Sequence, residues 1–197
     1  MLGGMVTGSS QPPRTGATVW LTGLPSAGKS TLARGAANLL ASGGHRTEIL
    51  DGDEMRRTLC RDLGFSRAHR EENVRRIGQS ALALARNGII VLVPVIAPYA
   101  VSRASVQTAH QQNGIPYVEI YVNAPLDVCR DRDVKGLYAQ QQAGQLTGLT
   151  GVDDPYEPPT RPDLEIPTHR QTEDESVALL HRFVARLLTN HSLSRHS

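Results

Sequence analysis

Only two cysteines occur in the 197 residues, Cys60 and Cys129, far apart and without metal-ligand spacing. That excludes a cysteine metal site and predicts reduced thiols in a cytoplasmic protein, with a regulatory disulfide as the alternative. His45, His69 and His181 have no pairing that suggests metal ligation and are expected at the surface or packed. Aromatic residues make up only 4% of the chain, no basic block interleaves with them, and acids and bases nearly cancel at net +2. Nucleic acid is therefore not an expected partner. No apolar run approaches the roughly 20 residues needed to span a bilayer, so a membrane is not expected either. The opening MLGGMVTGSSQPPRTG lacks the basic and apolar regions of a signal peptide. Its composition predicts a flexible leader over 1–16, and TNHSLSRHS predicts a flexible tail over 190–197.

Between these ends, a hydrophobic fraction of 39% and a charged fraction of 20% suit one soluble globular domain, expected over 17–189. No repeats occur. Short β-rich runs alternate with longer helical ones, the arrangement of an α/β protein with a mostly parallel sheet between helical layers. Strands are predicted at Ala17–Thr22, Arg46–Leu50, Gly88–Val95, Pro116–Val122 and Asp163–Thr168. Apolar residues at three- and four-residue spacing predict helices at Lys29–Ala41, Arg67–Arg86, Val101–Asn113, Leu126–Arg132 and Glu173–Leu188. The Gly-, Gln-, Thr- and Pro-rich stretch 134–161 is too long for an ordinary connection and reads as a lid, with a floppy surface insertion as the bland alternative.

Gly23-Leu24-Pro25-Ser26-Ala27-Gly28-Lys29-Ser30 matches G-x-x-x-x-G-K-S at every defined position, after a predicted strand and before a predicted helix. Such a loop turns successive backbone N–H groups toward phosphate oxygens at the positive end of a helix. Gly23, Ser26, Ala27, Gly28, Lys29, Ser30 and Thr31 are therefore the expected phosphate cradle. Lys29 would reach the β- and γ-phosphates, and Ser30 would offer a hydroxyl to Mg²⁺ on ATP or GTP. In ILDGDEMR, Asp51 and Asp53 end the second strand one residue apart. Asp51 could orient a metal-bound water and Asp53 could take an acceptor hydroxyl's proton, or the pair could simply cap the next helix.

The blocks LDGD, DLGFS, RxxNxRR, APY, PLxxC, KGLY and TGxDxPYE follow in order from Leu50 to Glu157. In that order they resemble the adenylylsulfate kinase family, over roughly Ala17 to Leu188. The resemblance implies the P-loop NTPase-type three-layer α/β/α fold with a five-stranded sheet and a lid. It also implies transfer of the ATP γ-phosphate to the 3′-hydroxyl of adenosine 5′-phosphosulfate in sulfate activation, with Mg²⁺ as cofactor, and a homodimer. Asp51 and Asp53 match the family's carboxylates beside Mg²⁺ and the acceptor hydroxyl, and Lys29 and Lys135 complete the catalytic set. Arg56, Arg70 and Asn73 match groups that hold phosphosulfate and ribose, and Phe65 matches a ring stacked on the acceptor base. Ile96, Ala97, Leu137 and Leu149 match further acceptor contacts, and Arg132 a position near the donor adenine. Without the family, Arg70, Arg75 and Arg76 would read as a solvated helix face and Phe65 as core.

The sequence also departs from the family pattern. Ala97 stands where many relatives have serine, so no phosphoryl group can be parked on that side chain. Ala100 replaces an arginine, Leu149 replaces a second phenylalanine, and AQQQAGQL follows KGLY where relatives are more basic. These departures leave a second expectation, a same-fold kinase of another modified nucleotide such as a cytidine diphosphate derivative. A catalytically silent nucleotide-binding subunit is the third, against which the presence of Lys29, Asp51, Asp53 and Lys135 argues.

Overall fold

The computed structural model describes residues 16–194. Strands β1 (Ala17–Thr22), β2 (Thr47–Ile49), β3 (Ile90–Pro94), β4 (Tyr117–Asn123) and β5 (Leu164–Pro167) form one sheet in the order β2-β3-β1-β4-β5. Every neighbouring pair is parallel, a stricter arrangement than the mostly parallel sheet expected. The helices are α1 (Lys29–Ser42), α2 (Gly52–Arg57), α3 (Arg67–Arg86), α4 (Ala100–Gln112), α5 (Leu126–Arg132), α6 (Leu137–Gln142) and α7 (Glu173–Ser194).

Both β1 and β3 are buried at every position, because helices cover both faces of the sheet. Side chains of a strand alternate between faces, so each strand feeds two cores. Val19, Leu21 and Leu92 pack with Leu32 and Leu40 of α1 and Leu180 and Val184 of α7. On the opposite face Trp20, Val91 and Val93 pack with Ile77 and Ala81 of α3 and Val106 of α4. Each helical layer closes on a glycine: a Cβ at Gly35 of α1 would lie 2.6 Å from Val177 of α7, and one at Gly78 of α3 would lie 2.6 Å from Val106 of α4.

Two helices go beyond the sequence reading. GDEMRR of α2 has no apolar period, and it forms behind an N-cap: Asp51 accepts a hydrogen bond from the Asp53 N–H. LYAQQQ of α6 buries only Tyr138. Helix α7 runs into the span expected as tail, through Ser194, and its Leu180, Val184 and Leu188 anchor it on the core. Residues 1–15 of the expected leader and 195–197 of the expected tail lie outside the described residues.

Parallel strands all deliver their C-terminal ends to one edge. There the loop after β1 carries the phosphate cradle, the turn after β2 carries Asp51 and leads into α2 with Asp53 in its first turn, and the loop after β3 carries Ile96 and Ala97. The 134–161 segment folds over that edge rather than standing off it: Tyr138 Oη donates to Pro25 O at 3.1 Å, and Leu149 and Thr150 are buried.

Candidate active site

Gly23 begins the cradle where the backbone runs against β4; a Cβ there would sit 2.4 Å from Val122 O, so only glycine fits. Ser26 takes a left-handed φ of 63° and Gly28 one of 104°, which bends the loop into the first turn of α1. The Lys29 ammonium donates to Gly23 O at 2.9 Å and Leu24 O at 2.7 Å, across the mouth of its own loop. Burial first, and then the nearby Lys135 charge, push the Lys29 pKa down to about 7. Behind the loop, Arg132 and Thr168 brace it. Thr168 Oγ1 donates to Ala27 O at 2.8 Å, and Arg132 donates to Thr168 O at 2.7 Å and Thr168 Oγ1 at 3.1 Å. Thr31 follows in the same first turn of α1.

Asp51 caps the next helix, one of the two readings the sequence left open, and it also reaches the phosphate cradle. One oxygen caps α2 by accepting from Asp53 N–H at 3.0 Å, and the other accepts from Ser30 Oγ at 2.6 Å. The hydroxyl of the cradle and the carboxylate of the neighbouring strand tip therefore converge. Two hard oxygen donors fit Mg²⁺, which keeps most of its waters and shares phosphate oxygens. Among the described residues no group of three or more His, Cys, Asp or Glu could hold a metal ion. Asp53 points elsewhere and pairs with Lys135 from the start of the lid.

A cationic wall stands beside this pair. Arg56 of α2 donates to Gly64 O at 3.1 Å and lies 4.5 Å over the Phe65 ring. Burial, and then the charge of Arg70, push the Arg56 guanidinium below its usual range, a strain that an anion would relieve. Phe65 is 63% exposed, so it is not a core residue, and the Arg56 guanidinium lies over its ring. His69 Nδ1 accepts from Gly64 N–H at 2.9 Å and shapes that turn. Asn73 follows Arg70 by one turn of α3, and its buried Oδ1 has no hydrogen-bond partner among the described residues.

Arg70 itself is only 7% exposed and is held by the lid. It donates to Phe65 O at 2.9 Å, Thr150 Oγ1 at 2.9 Å and Gly148 O at 2.6 Å, and it pairs with Asp154 at 3.1 Å. Arg75 and Arg76 behave differently. They pair with Glu72, and Arg76 also with Asp62, on the outer face of α3, so the solvated-face reading suits them and not Arg70.

The apolar candidates separate. Ala97 is buried at a left-handed φ of 43°, a conformation costing about 1–3 kcal/mol for a residue with a Cβ. Ile96 is half-buried beside it, and its carbonyl accepts from Thr22 Oγ1 at 2.6 Å. Leu149 is 6% exposed and Leu137 half-buried, and both pack into the core under α1 and α7. The structure brings Lys29, Ser30, Asp51, Asp53 and Lys135 together and sets Arg56, Phe65, Arg70 and Asn73 beside them, while Leu137 and Leu149 tie the lid into the main core. Tyr99, Tyr138 and Asp154, which fasten the lid, fall within the blocks APY, KGLY and TGxDxPYE, but sequence reasoning gave none of them a role.

A phosphate cradle between strand and helix, a hydroxyl–carboxylate pair beside it and a lid lysine reaching the next strand tip define a P-loop phosphotransferase fold of the α/β/α class. The family model described as Adenylylsulphate kinase matches residues 15–167. A probable adenylyl-sulfate kinase of Synechocystis is 50% identical over 162 residues, which cover 82% of this chain and 89% of that protein. The chain belongs to the adenylylsulphate kinase family. Among solved structures, the Mycobacterium tuberculosis APS kinase CysC in complex with AMPPNP and APS matches with a TM-score of 0.85 at 42% identity, covering 88% of this chain and 99% of that one. A hexameric APS kinase from Thiobacillus denitrificans matches with a TM-score of 0.66 at 36% identity, covering 88% of this chain and 29% of that one.

Proposed function

We infer that the protein transfers the γ-phosphate of ATP to the 3′-hydroxyl of adenosine 5′-phosphosulfate, giving 3′-phosphoadenosine 5′-phosphosulfate. The observation that carries this reading is the meeting of Asp53 with Lys135 at the mouth of the phosphate cradle, beside an exposed aromatic ring and a pair of guanidiniums. Family membership and the nucleotide and APS named for the mycobacterial relative support it.

The cradle's N–H groups and Lys29 hold the triphosphate tail, and Ser30 and Asp51 would hold Mg²⁺. When bound, the ion would supply charge neutralisation at the transferring phosphate. Asp53 accepts the proton or hydrogen bond of the acceptor hydroxyl, and Lys135 passes from Asp53 to the transferring phosphate as the acceptor enters. Arg56 and Arg70 grip the phosphosulfate with planar donor forks, Phe65 stacks on the base, and Asn73 lends its unpaired Oδ1 to the ribose. A loose transition state needs positioning and charge more than covalent help, so the lid's task is to align these groups and exclude water. The absence of a hydroxyl at residue 97 leaves direct in-line transfer as the route.

The protein works as a homodimer in the cytoplasm, within sulfate assimilation. The hexameric relative supports self-association as a family habit, and among the described residues no helix is long and apolar enough to cross a membrane. A second reading, a kinase of a cytidine diphosphate derivative, is favoured by Leu149, a buried aliphatic side chain where the family pattern has a second ring, and by the Gln-rich lid. Mg·ATP offered with adenosine 5′-phosphosulfate and with cytidine diphosphate derivatives, side by side, separates the two. A 3′-phosphorylated adenylyl product supports the first, and preference for a pyrimidine overturns it.

A further inference from the structure

Arg103, in the first turn of α4, is 3% exposed, and its guanidinium reaches three separate parts of the chain. Its Nε donates to Glu119 Oε1 on β4 at 2.6 Å, its Nη1 to Ala97 O at 2.8 Å, and its Nη2 to Glu157 O at 2.8 Å. Glu157 closes the circuit. Its N–H donates to Pro98 O at 2.8 Å, and its Oε2 accepts from Ala100 N–H at 2.7 Å. One residue earlier, Tyr156 Oη lies 3.0 Å from Thr22 Oγ1, whose hydroxyl donates to Ile96 O.

The far end of the lid is therefore stapled at Tyr156 to the last residue of β1 and at Glu157 to the loop that follows β3. The phosphate cradle begins one residue beyond the first of these, and the second carries the acceptor wall. Both backbone carbonyls of that wall, Ile96 and Ala97, are held by protein donors, and Ala97 keeps a left-handed conformation that alanine does not choose alone.

We propose that Arg103 is a positioning residue for phosphoryl transfer: its fork fixes the hinge from which residues 134–155 close and holds Ala97 in the shape of the acceptor wall. The inference rests on the phosphotransfer reading above, but not on which nucleotide accepts. Arg103 touches no reacting atom. It acts through Glu157, which sets where the lid starts, and through Ala97, which sets where the acceptor lies. A guanidinium is needed because three acceptors from separate segments must be met by donors in one plane. Lysine at the same place keeps a charge opposite Glu119 but cannot serve both carbonyls. With the hinge loosened, Lys135 arrives out of register, water enters, and ATP is hydrolysed to ADP and phosphate instead of transferring its phosphoryl group to an alcohol.

The test uses Arg103→Lys, with Glu157→Ala as a second variant at an exposed site that removes the hydrogen bond from Ala100 N–H and a charge that acts on Arg67. Three quantities are read with the full chain: KM for each substrate, the ratio of hydrolysis to transfer, and the rate of tryptic cleavage after Lys135 with Mg·ATP present. For folded Arg103→Lys we expect the KM for ATP to hold within about twofold while the acceptor KM and the hydrolysis ratio each rise about tenfold, and cleavage after Lys135 to quicken. Glu157→Ala is expected to show the same split, smaller. Unchanged ratios and cleavage in folded Arg103→Lys overturn the proposal. So does a uniform loss with a falling Tm and no split, which marks a merely structural residue. If Arg103→Lys does not fold, Glu157→Ala decides by the same criteria. Failure of the wild-type chain to phosphorylate adenosine 5′-phosphosulfate would count against the functional reading alone, because the cleavage and hydrolysis measurements without acceptor still judge the hinge.

Discussion

Lys135, at the root of the lid, pairs with the Asp53 carboxylate in the first turn of α2, so the lid is tied to the edge of the sheet beside the phosphate cradle. The pair is half exposed, and its ionic attraction contributes little to stability. Its consequence is for alignment. Lys135→Ala is expected to lower kcat far more than it weakens ATP binding, and Asp53→Asn to lower kcat by about 10²–10⁴, the range for losing a positioned acid–base group. Steady-state kinetics beside a direct nucleotide titration checks both. Weakened ATP binding with kcat intact would remove Lys135 from the catalytic set.

The Lys29 ammonium gives a signed pH dependence. Its pKa of about 7 in the folded chain is below the usual 10.5, so between those values the unfolded chain holds a proton that the folded chain has released. Stability without nucleotide therefore rises with pH across that window, and below pH 7 the full cost of burying the charge is present. Phosphate oxygens favour the charged form. Nucleotide binding at pH 8 is accordingly expected to take up a proton, seen by calorimetry in buffers of different ionisation enthalpy, and Lys29→Met is expected to abolish the uptake.

Much of this was legible before the fold was known. The G-x-x-x-x-G-K-S loop named its strand and helix because it needs glycine where Gly23 meets Val122 O and cationic reach where Lys29 sits. The buried strands announced themselves by unbroken apolar runs. What stayed hidden depends on partners distant in sequence. Helix α2 exists through one cap, Asp51, and α6 through one buried ring, Tyr138, so neither writes a period into its six residues. Arg70 and Arg76 look alike as letters on one helix; only the fold brings Gly148, Thr150 and Asp154 to the first and leaves the second to Asp62 and Glu72. Arg103 on an amphipathic helix looks like any surface arginine until Glu119 and Glu157 converge on it.

Arg70→Lys is expected to loosen the lid despite keeping the charge, since one ammonium cannot meet Gly148 O, Thr150 Oγ1 and Asp154 together. The loss corresponds to about 1.5–3 kcal/mol, as for hydrogen bonds to a charged group. Faster proteolysis between α6 and Tyr156, with little change in far-UV circular dichroism, is the expected signature.

At the back of the sheet, Gly78→Ala places a methyl 2.6 Å from the Val106 Cγ2. Overpacking of this kind costs about 1–3 kcal/mol, and Val106→Ala in the same chain is expected to return part of it. Urea denaturation of the two single variants and the double variant measures the coupling. Simple additivity would mean that α3 and α4 do not meet as closely as described.

The central claim is that an acceptor alcohol lies against Asp53, in line with the terminal phosphate held by Lys29 and Ser30. A crystal structure with AMPPNP, Mg²⁺ and adenosine 5′-phosphosulfate tests it most directly. The account predicts the 3′-hydroxyl within hydrogen-bonding reach of Asp53, the base on Phe65, and Lys135 moved from Asp53 toward the γ-phosphate. A 3′-hydroxyl remote from Asp53, with Lys135 still paired to that carboxylate, would contradict it.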